Sequence, residues 1–138
     1  MSGFLLDTNV ISELVRPKPE LKVAAWIEAT DEHLLFLSVL TLGEIRKRVM
    51  SVKDASLRVV LEAWLDSDLQ LRFAGRILPV DEAVADRWGR LAAAAKSPVP
   101  VIDGLLAATA LHHNLTLVTR NTKDVVATGV PVFDPWTA

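Results

Sequence analysis

The apolar run Phe4-Leu5-Leu6 closes on a carboxylate, Asp7. An uninterrupted apolar run offers water neither face of a strand, so it belongs inside a parallel sheet covered on both sides. Parallel strands need crossover connections, and these are normally helices. The run therefore commits the chain to a layered α/β fold. Similar runs follow: Leu34–Val39 reads as a second strand, Ile77–Val80 as a short third, Leu115–Thr119 as a fourth and Val130–Phe133 as a last. Between them, helical spacing predicts Val10–Val15 capped by Asn9, Glu20–Ala29, a helix from Thr41 past Met50, Ala55–Leu65, a helix opened by Asp81 or Glu82 that ends in Ala92–Ala95, and Gly104–His113. The expected architecture is three-layer α/β/α around a central, mainly parallel sheet with right-handed crossovers. Residues 1–138 read as one domain, since too little chain follows the Ser97-Pro98-Val99-Pro100 break to make another.

Composition narrows the function classes. The apolar fraction is 51% and mean hydropathy is +0.31, values that suit a doubly covered sheet or an extra apolar face for a partner. No run of about 18 apolar residues spans a membrane, and Met1-Ser2-Gly3 lacks the start of a signal peptide. Absence of cysteine removes disulfides and thiolate metal sites. These features point to the cytoplasm. A net charge of -2 argues against a simple nucleic-acid coat. Locally, Arg46-Lys47-Arg48 with Lys53 and Arg58 form one basic stretch, and Arg72, Arg76, Arg87 and Arg90 a second. On charge alone these are solvated helix faces.

The acids carry the chemistry. Asp7 follows the first strand, Glu44 closes Leu40-Thr41-Leu42-Gly43-Glu44, Asp103 follows Val99-Pro100-Val101-Ile102, and Asp124 comes shortly after the fourth strand. Each has a simple local role. Thr41 and Glu44 match a capping box, and Asp103 serves equally as the N-cap of Gly104–His113. Asp7 and Asp124 can cap turns. As a set they mean more: Asp7, Asp103 and Asp124 are expected to follow strands that lie side by side in one sheet, which brings three or four carboxylates to one edge. Clustered carboxylates resist joint ionisation, and a divalent ion removes that penalty. With oxygen donors only, the ion is Mg²⁺ or Mn²⁺. His33, His112 and His113 show no ligand spacing with the acids and read as surface or helix-end residues.

Read in order, Leu6-Asp7-Thr8-Asn9-Val10-Ile11-Ser12-Glu13, Leu40-Thr41-Leu42-Gly43-Glu44-Ile45, Asp103-Gly104-Leu105-Leu106-Ala107-Ala108-Thr109-Ala110, Leu117-Val118-Thr119-Arg120-Asn121 with Asp124, and Gly129-Val130-Pro131-Val132-Phe133-Asp134-Pro135-Trp136 resemble the PIN-domain ribonucleases. The nearest likeness is to the VapC/FitB-like toxins of type II toxin–antitoxin pairs, and it runs nearly end to end. The resemblance implies Mg²⁺- or Mn²⁺-dependent endonucleolytic cleavage of RNA, with Asp7, Glu44, Asp103 and Asp124 as the acidic site. We assign Asp7 and Asp103 as direct ligands, and Glu44 and Asp124 as groups that orient water or complete a second ion site. Asn9, Thr119 and Asn121 stand as supporting polar groups. Arg46, Lys47, Arg120 and Lys123, close to the acids in sequence, are the candidates for RNA phosphates. The resemblance also implies a cognate antitoxin and a homodimer or larger toxin–antitoxin assembly; Val10–Val15, Val23–Ile27 and Ala55–Leu65 are candidate partner surfaces. Where the family often has an aromatic residue after the fourth acid, this chain has Val125.

Three other readings compete. A receiver-like domain needs paired acids after the first strand and a late lysine, where this chain has a single Asp7 and Arg120. A catalytically silent RNA-binding module of the same fold has no reason to keep four mutually repelling acids. A DNA-directed nuclease of that fold shares the same motifs.

Overall fold

A computed structural model describes residues 2–138. Five parallel strands form one sheet in the order β3-β2-β1-β4-β5. They are β1 (Phe4–Leu6), β2 (Leu35–Ser38), β3 (Ile77–Leu78), β4 (Thr116–Val118) and β5 (Val132–Phe133). The chain moves outward from β1 to β3, then returns across the sheet to lay β4 on the other side of β1. This reversal places a topological switch point between β1 and β4, where open α/β sheets form a crevice beyond their carboxyl ends.

The apolar runs are explained by what each strand covers. Leu6, Leu35, Leu37 and Val118 face one core, with Phe4 packed against it. Leu5 and Leu117 face the other, with Phe36 against it. Alternate residues thus enter opposite layers, and every position must be apolar. The first layer holds α1 (Thr8–Leu14), α2 (Leu21–Ala29), α3 (Val39–Met50) and α4 (Ala55–Ala63). The second holds α7 (Val101–His112) and α8 (Thr122–Val125), with α6 (Glu82–Ala94) packed on α7. No helix among the described residues is long and apolar enough to cross a membrane.

The five strands match the sequence reading in number and order, and the six expected helices are present among the eight observed, with informative shifts. The helix expected to stop at Leu65 continues through a π turn (Trp64–Leu69) into α5 (Gln70–Arg72). Its inward residues Leu61, Leu65, Leu69 and Phe73 recur every four positions. At 3.6 residues per turn that spacing drifts around an α-helix, and the wider π turn takes up the drift. Helix α3 starts two residues early because the Ser38 hydroxyl accepts the Leu40 N–H at 3.0 Å. The expected capping box at Thr41 and Glu44 therefore does not form. Likewise Asp7, not Asn9, caps α1. Asp103 is not an N-cap, and Val99–Ile102 is no strand: Pro100 heads α7 and puts Asp103 in its first turn. Proline suits this place because its fixed φ matches a helix start.

Two close approaches set the packing of the layers. Gly104 lies where an added Cβ would meet Trp88 Cδ1 and Nε1 at 3.0 Å, so its bare backbone lets α7 sit directly on the α6 indole. At the entrance to β1, a Cβ on Gly3 would stand 2.6 Å from the Leu34 carbonyl oxygen and 2.8 Å from Phe36 Cε1. Gly3→Ala should therefore force β1 from β2 and lower stability by roughly 1–3 kcal/mol. Gly89 in α6 has open space about it, and Gly89→Ala should instead stabilise by about 0.5–1 kcal/mol through helix propensity. Urea unfolding midpoints of the two variants, compared with the parent, should move in opposite directions.

Candidate active site

The carboxyl edge of the sheet gathers the polar residues singled out in the sequence. Asp7 stands where β1 ends and α1 begins, and only 6% of it is exposed. Its Oδ1 accepts the Thr8 N–H at 2.6 Å. Its Oδ2 accepts the Thr119 hydroxyl at 2.8 Å and the Asn9 side-chain amide at 3.4 Å. Thr119 follows β4, so this contact closes the switch-point crevice between neighbouring strands. Asn9 Nδ2 also reaches Thr119 Oγ1 at 3.2 Å, and the Asn121 N–H donates to the same oxygen at 3.0 Å. The Thr119 hydroxyl is thus a hub that donates once and accepts twice. Asn121 contributes its backbone to the hub.

Glu44 arrives from the neighbouring strand through α3. The Thr8 hydroxyl donates to Glu44 Oε1 at 2.5 Å, and Thr41 Oγ1 lies 3.4 Å from the same hydroxyl. Thr41, expected as a cap, is instead fully buried beneath the site. Asp103, half-buried on α7, and Asp124, exposed on α8, come from the opposite layer. Their meeting with the first two acids is electrostatic. Burial, and then the charges of Asp7, Asp124 and Glu44, push the Asp103 carboxyl up to about 6. Burial also raises Asp7, opposed by its bonds from Thr119 and Thr8; Glu44 raises it further and Arg48 lowers it.

The donors at this edge are oxygen atoms, and the described residues contain no cysteine. That chemistry fits a hard divalent cation rather than zinc. Burial raises Asp103 first, and the charges of Asp7, Asp124 and Glu44 raise it further; a cation would relieve the latter part. Among the described residues no three acidic or imidazole groups stand together as a ready-made cage. Holding an ion here requires Glu44, Asp103 or Asp124 to turn toward Asp7, which is fixed by its three hydrogen-bond donors. No histidine joins the group: His112 and His113 stack edge to face at the far end of α7.

The cations divide. Arg46 is tied to Asp66 instead of being offered to the acids. Lys47 and Arg48 line a cleft of about 700 Å³ beside Glu44, walled by Val39, Leu40 and Ile102. Arg48 also donates to Ser12 Oγ at 2.9 Å. Arg120 lies over the Trp136 ring at 5.1 Å, while its backbone N–H reaches Asn9 Oδ1 at 3.4 Å. Lys123 is exposed on α8, beside Asp124. Sequence proximity favoured Arg46 over Arg48; helical phase favours the reverse, because residues four apart share a helix face. Four positions on from Glu44 is Arg48. Val125, in place of the family's aromatic, is buried in the second core.

Comparison with known proteins agrees with this fold. The PIN domain family matches residues 4–127. Toxin FitB of Neisseria gonorrhoeae is 41% identical over 135 residues, covering 96% of this chain and 97% of FitB. VapC ribonuclease Y4jK of Sinorhizobium fredii is 36% identical over 135 residues, covering 96% of each chain. The crystal structure of FitAcB from Neisseria gonorrhoeae contains a chain that superposes with a TM-score of 0.94 at 40% identity, over 98% of this chain and 99% of that one. The chain belongs to the PIN-domain family, in the branch that holds the FitB and VapC proteins.

Proposed function

We propose that this protein is a metal-dependent endoribonuclease, the toxin of a toxin–antitoxin pair, acting on RNA in the cytoplasm. The reading is supported by Asp7 and Glu44 being joined through Thr8 at the carboxyl edge, with Asp103 and Asp124, from the first turns of α7 and α8, near enough for the charges of Asp7, Asp124 and Glu44 to act on Asp103. Mg²⁺ or Mn²⁺ fits the donor chemistry, and when bound it supplies charge neutralisation and activation of water for attack on a phosphodiester. Asp7 is the anchoring ligand, because Thr8, Thr119 and Asn9 fix both its oxygens. Asp103 is its partner across the crevice. Glu44, held by the Thr8 hydroxyl, and Asp124 orient water from either side. Lys47 and Arg48 draw the RNA backbone toward an edge that would otherwise repel it.

The partner surface follows from exposure. Val10, Val23 and Ile27 are buried and offer nothing to a second protein. On the first layer Val15, Leu57, Val59 and Val60 are exposed. Beside Val15, Ile45, Val49, Leu61 and Trp64 line an apolar groove. Such a surface suits the apolar face of an antitoxin helix or peptide, and a homodimer would cover other exposed apolar residues. VapBC-5 from Mycobacterium tuberculosis, a member of the VapBC family of toxin–antitoxin systems, contains a chain of similar fold.

Purified protein incubated with a mixed tRNA and rRNA pool should yield discrete fragments with Mg²⁺ or Mn²⁺ and none with EDTA. Asp103→Asn should lower the cleavage rate by at least about a hundredfold while circular dichroism stays unchanged. Full activity in that variant would remove Asp103 from the site. A second outcome concerns stability without metal. The folded Asp103 carboxyl keeps its proton to about 6 against an ordinary 3.8, so the metal-free protein loses stability as pH rises between these values. Asp103→Asn abolishes that loss. In EDTA its gain over the parent should reach about 1 kcal/mol near neutral pH, after allowance for solvent screening of a half-buried group. That gain should vanish as pH falls toward 3.8, as read from urea midpoints across the range.

A further inference from the structure

A second cleft, of about 320 Å³, opens at the same carboxyl edge, lined by Arg16, Lys18, Glu20, Arg120 and Trp136. The strand order fixes where it lies. The cleft beside Glu44 sits beyond β2, Asp7 ends β1, Arg120 follows β4, and Trp136 follows β5. The two clefts therefore flank Asp7 on opposite sides. The floor of the second is built rather than incidental. Glu13 is buried, accepts the Glu20 N–H at 2.9 Å and the Arg16 guanidinium at 3.2 Å, and so ties the loop carrying Arg16 and Lys18 to α1. Arg120 lies over the Trp136 indole at 5.1 Å, and its backbone is joined to Asn9, which bonds Asp7 directly. Among the described residues, Lys18 and Arg120 form no ion pair.

We propose that this cleft binds one nucleotide of single-stranded RNA beside the scissile position, its phosphate on Arg16, Lys18 and Arg120 and its base on the Arg120–Trp136 stack. Unstacked RNA bases pack on aromatic rings and guanidinium planes, and this stack offers an exposed guanidinium over a half-buried ring. Lys18 and Arg120, free of ion pairs among the described residues, and the exposed Arg16 beside them would hold the backbone where the acids repel it. The proposal rests on the ribonuclease reading but makes a separate claim about where substrate lies.

The test measures binding, not cleavage. A short mixed-sequence 2′-O-methyl oligoribonucleotide is titrated with Mg²⁺ into the Asp103→Asn protein, following tryptophan fluorescence and the anisotropy of a label on the probe. Arg120→Ala and Trp136→Leu, each added to that background, should weaken binding roughly tenfold, as loss of one stacked base does. Lys18→Gln, at an exposed position that leaves the core untouched, should lower the salt dependence of log Kd by about 0.7, the value of one phosphate contact on a single strand. If the Asp103→Asn protein binds RNA and all three changes leave affinity and salt slope unaltered, the cleft is not a nucleotide subsite and the ribonuclease reading stands. If it binds no RNA and the parent cleaves none, both fall together.

Discussion

The hydrogen bond from Thr119 to Asp7 joins the ends of the two central strands, and the acidic edge depends on it. β1 and β4 lie side by side only because the chain reverses direction across the sheet after β3. At their carboxyl ends the Thr119 hydroxyl and the Asp7 carboxylate meet at 2.8 Å, both almost fully buried. A carboxylate that loses this much water must be compensated by donors. Thr119, Asn9 and the Thr8 N–H are those donors. Asp7 also caps α1, so its charge faces the positive end of that helix. One side chain thus terminates a strand, starts a helix and is locked in orientation.

Around this fixed point the other acids are held differently. Glu44 touches the same network through Thr8, whereas no hydrogen bond ties Asp103 or Asp124 to Asp7. They project from the first turns of α7 and α8 across the crevice. α7 can sit near enough because Gly104 presents no side chain to Trp88. A rigid half and an adaptable half is an arrangement suited to closing on an ion, since the adaptable acids can turn while the anchor keeps its place.

The sheet was legible in the sequence because its strands are covered on both faces, leaving unbroken apolar runs that nothing else explains. The acids after β1 and β4 were legible for the same reason: a strand end is easy to find when the strand is. Asp103 was placed less well. Val99 and Val101 suggested extended chain, but Pro100 is as good a helix opener as it is a strand breaker, and local sequence does not choose between them. Thr41 and Glu44 satisfied the pattern of a capping box, yet Ser38 satisfied the simpler requirement three residues earlier. Arg48 stood in a basic stretch and Trp136 in the closing motif, but neither was placed beside the acids, because sequence distance is a poor guide to proximity. Arg48 shares a helix face with Glu44, and Trp136 meets Arg120 only because β5 pairs with β4.

Stability and function pull against each other at this edge, and the balance explains why the rest of the fold is so heavily apolar. Burial, and then the like charges of Asp7, Asp124 and Glu44, hold the Asp103 proton to about 6, and above that pH the ionised carboxyl opposes folding. The compensation cannot come from within the site, since extra donors on Asp103 or Glu44 would fix them and blunt their capacity to close on an ion. It comes instead from two cores that share the central strand, one through Leu6 and the other through Leu5. Any ligand that neutralises the acids then adds stability in proportion to its binding. On the proposed function, a divalent ion that neutralised these acids would link the folding equilibrium to the active state through the same carboxylates.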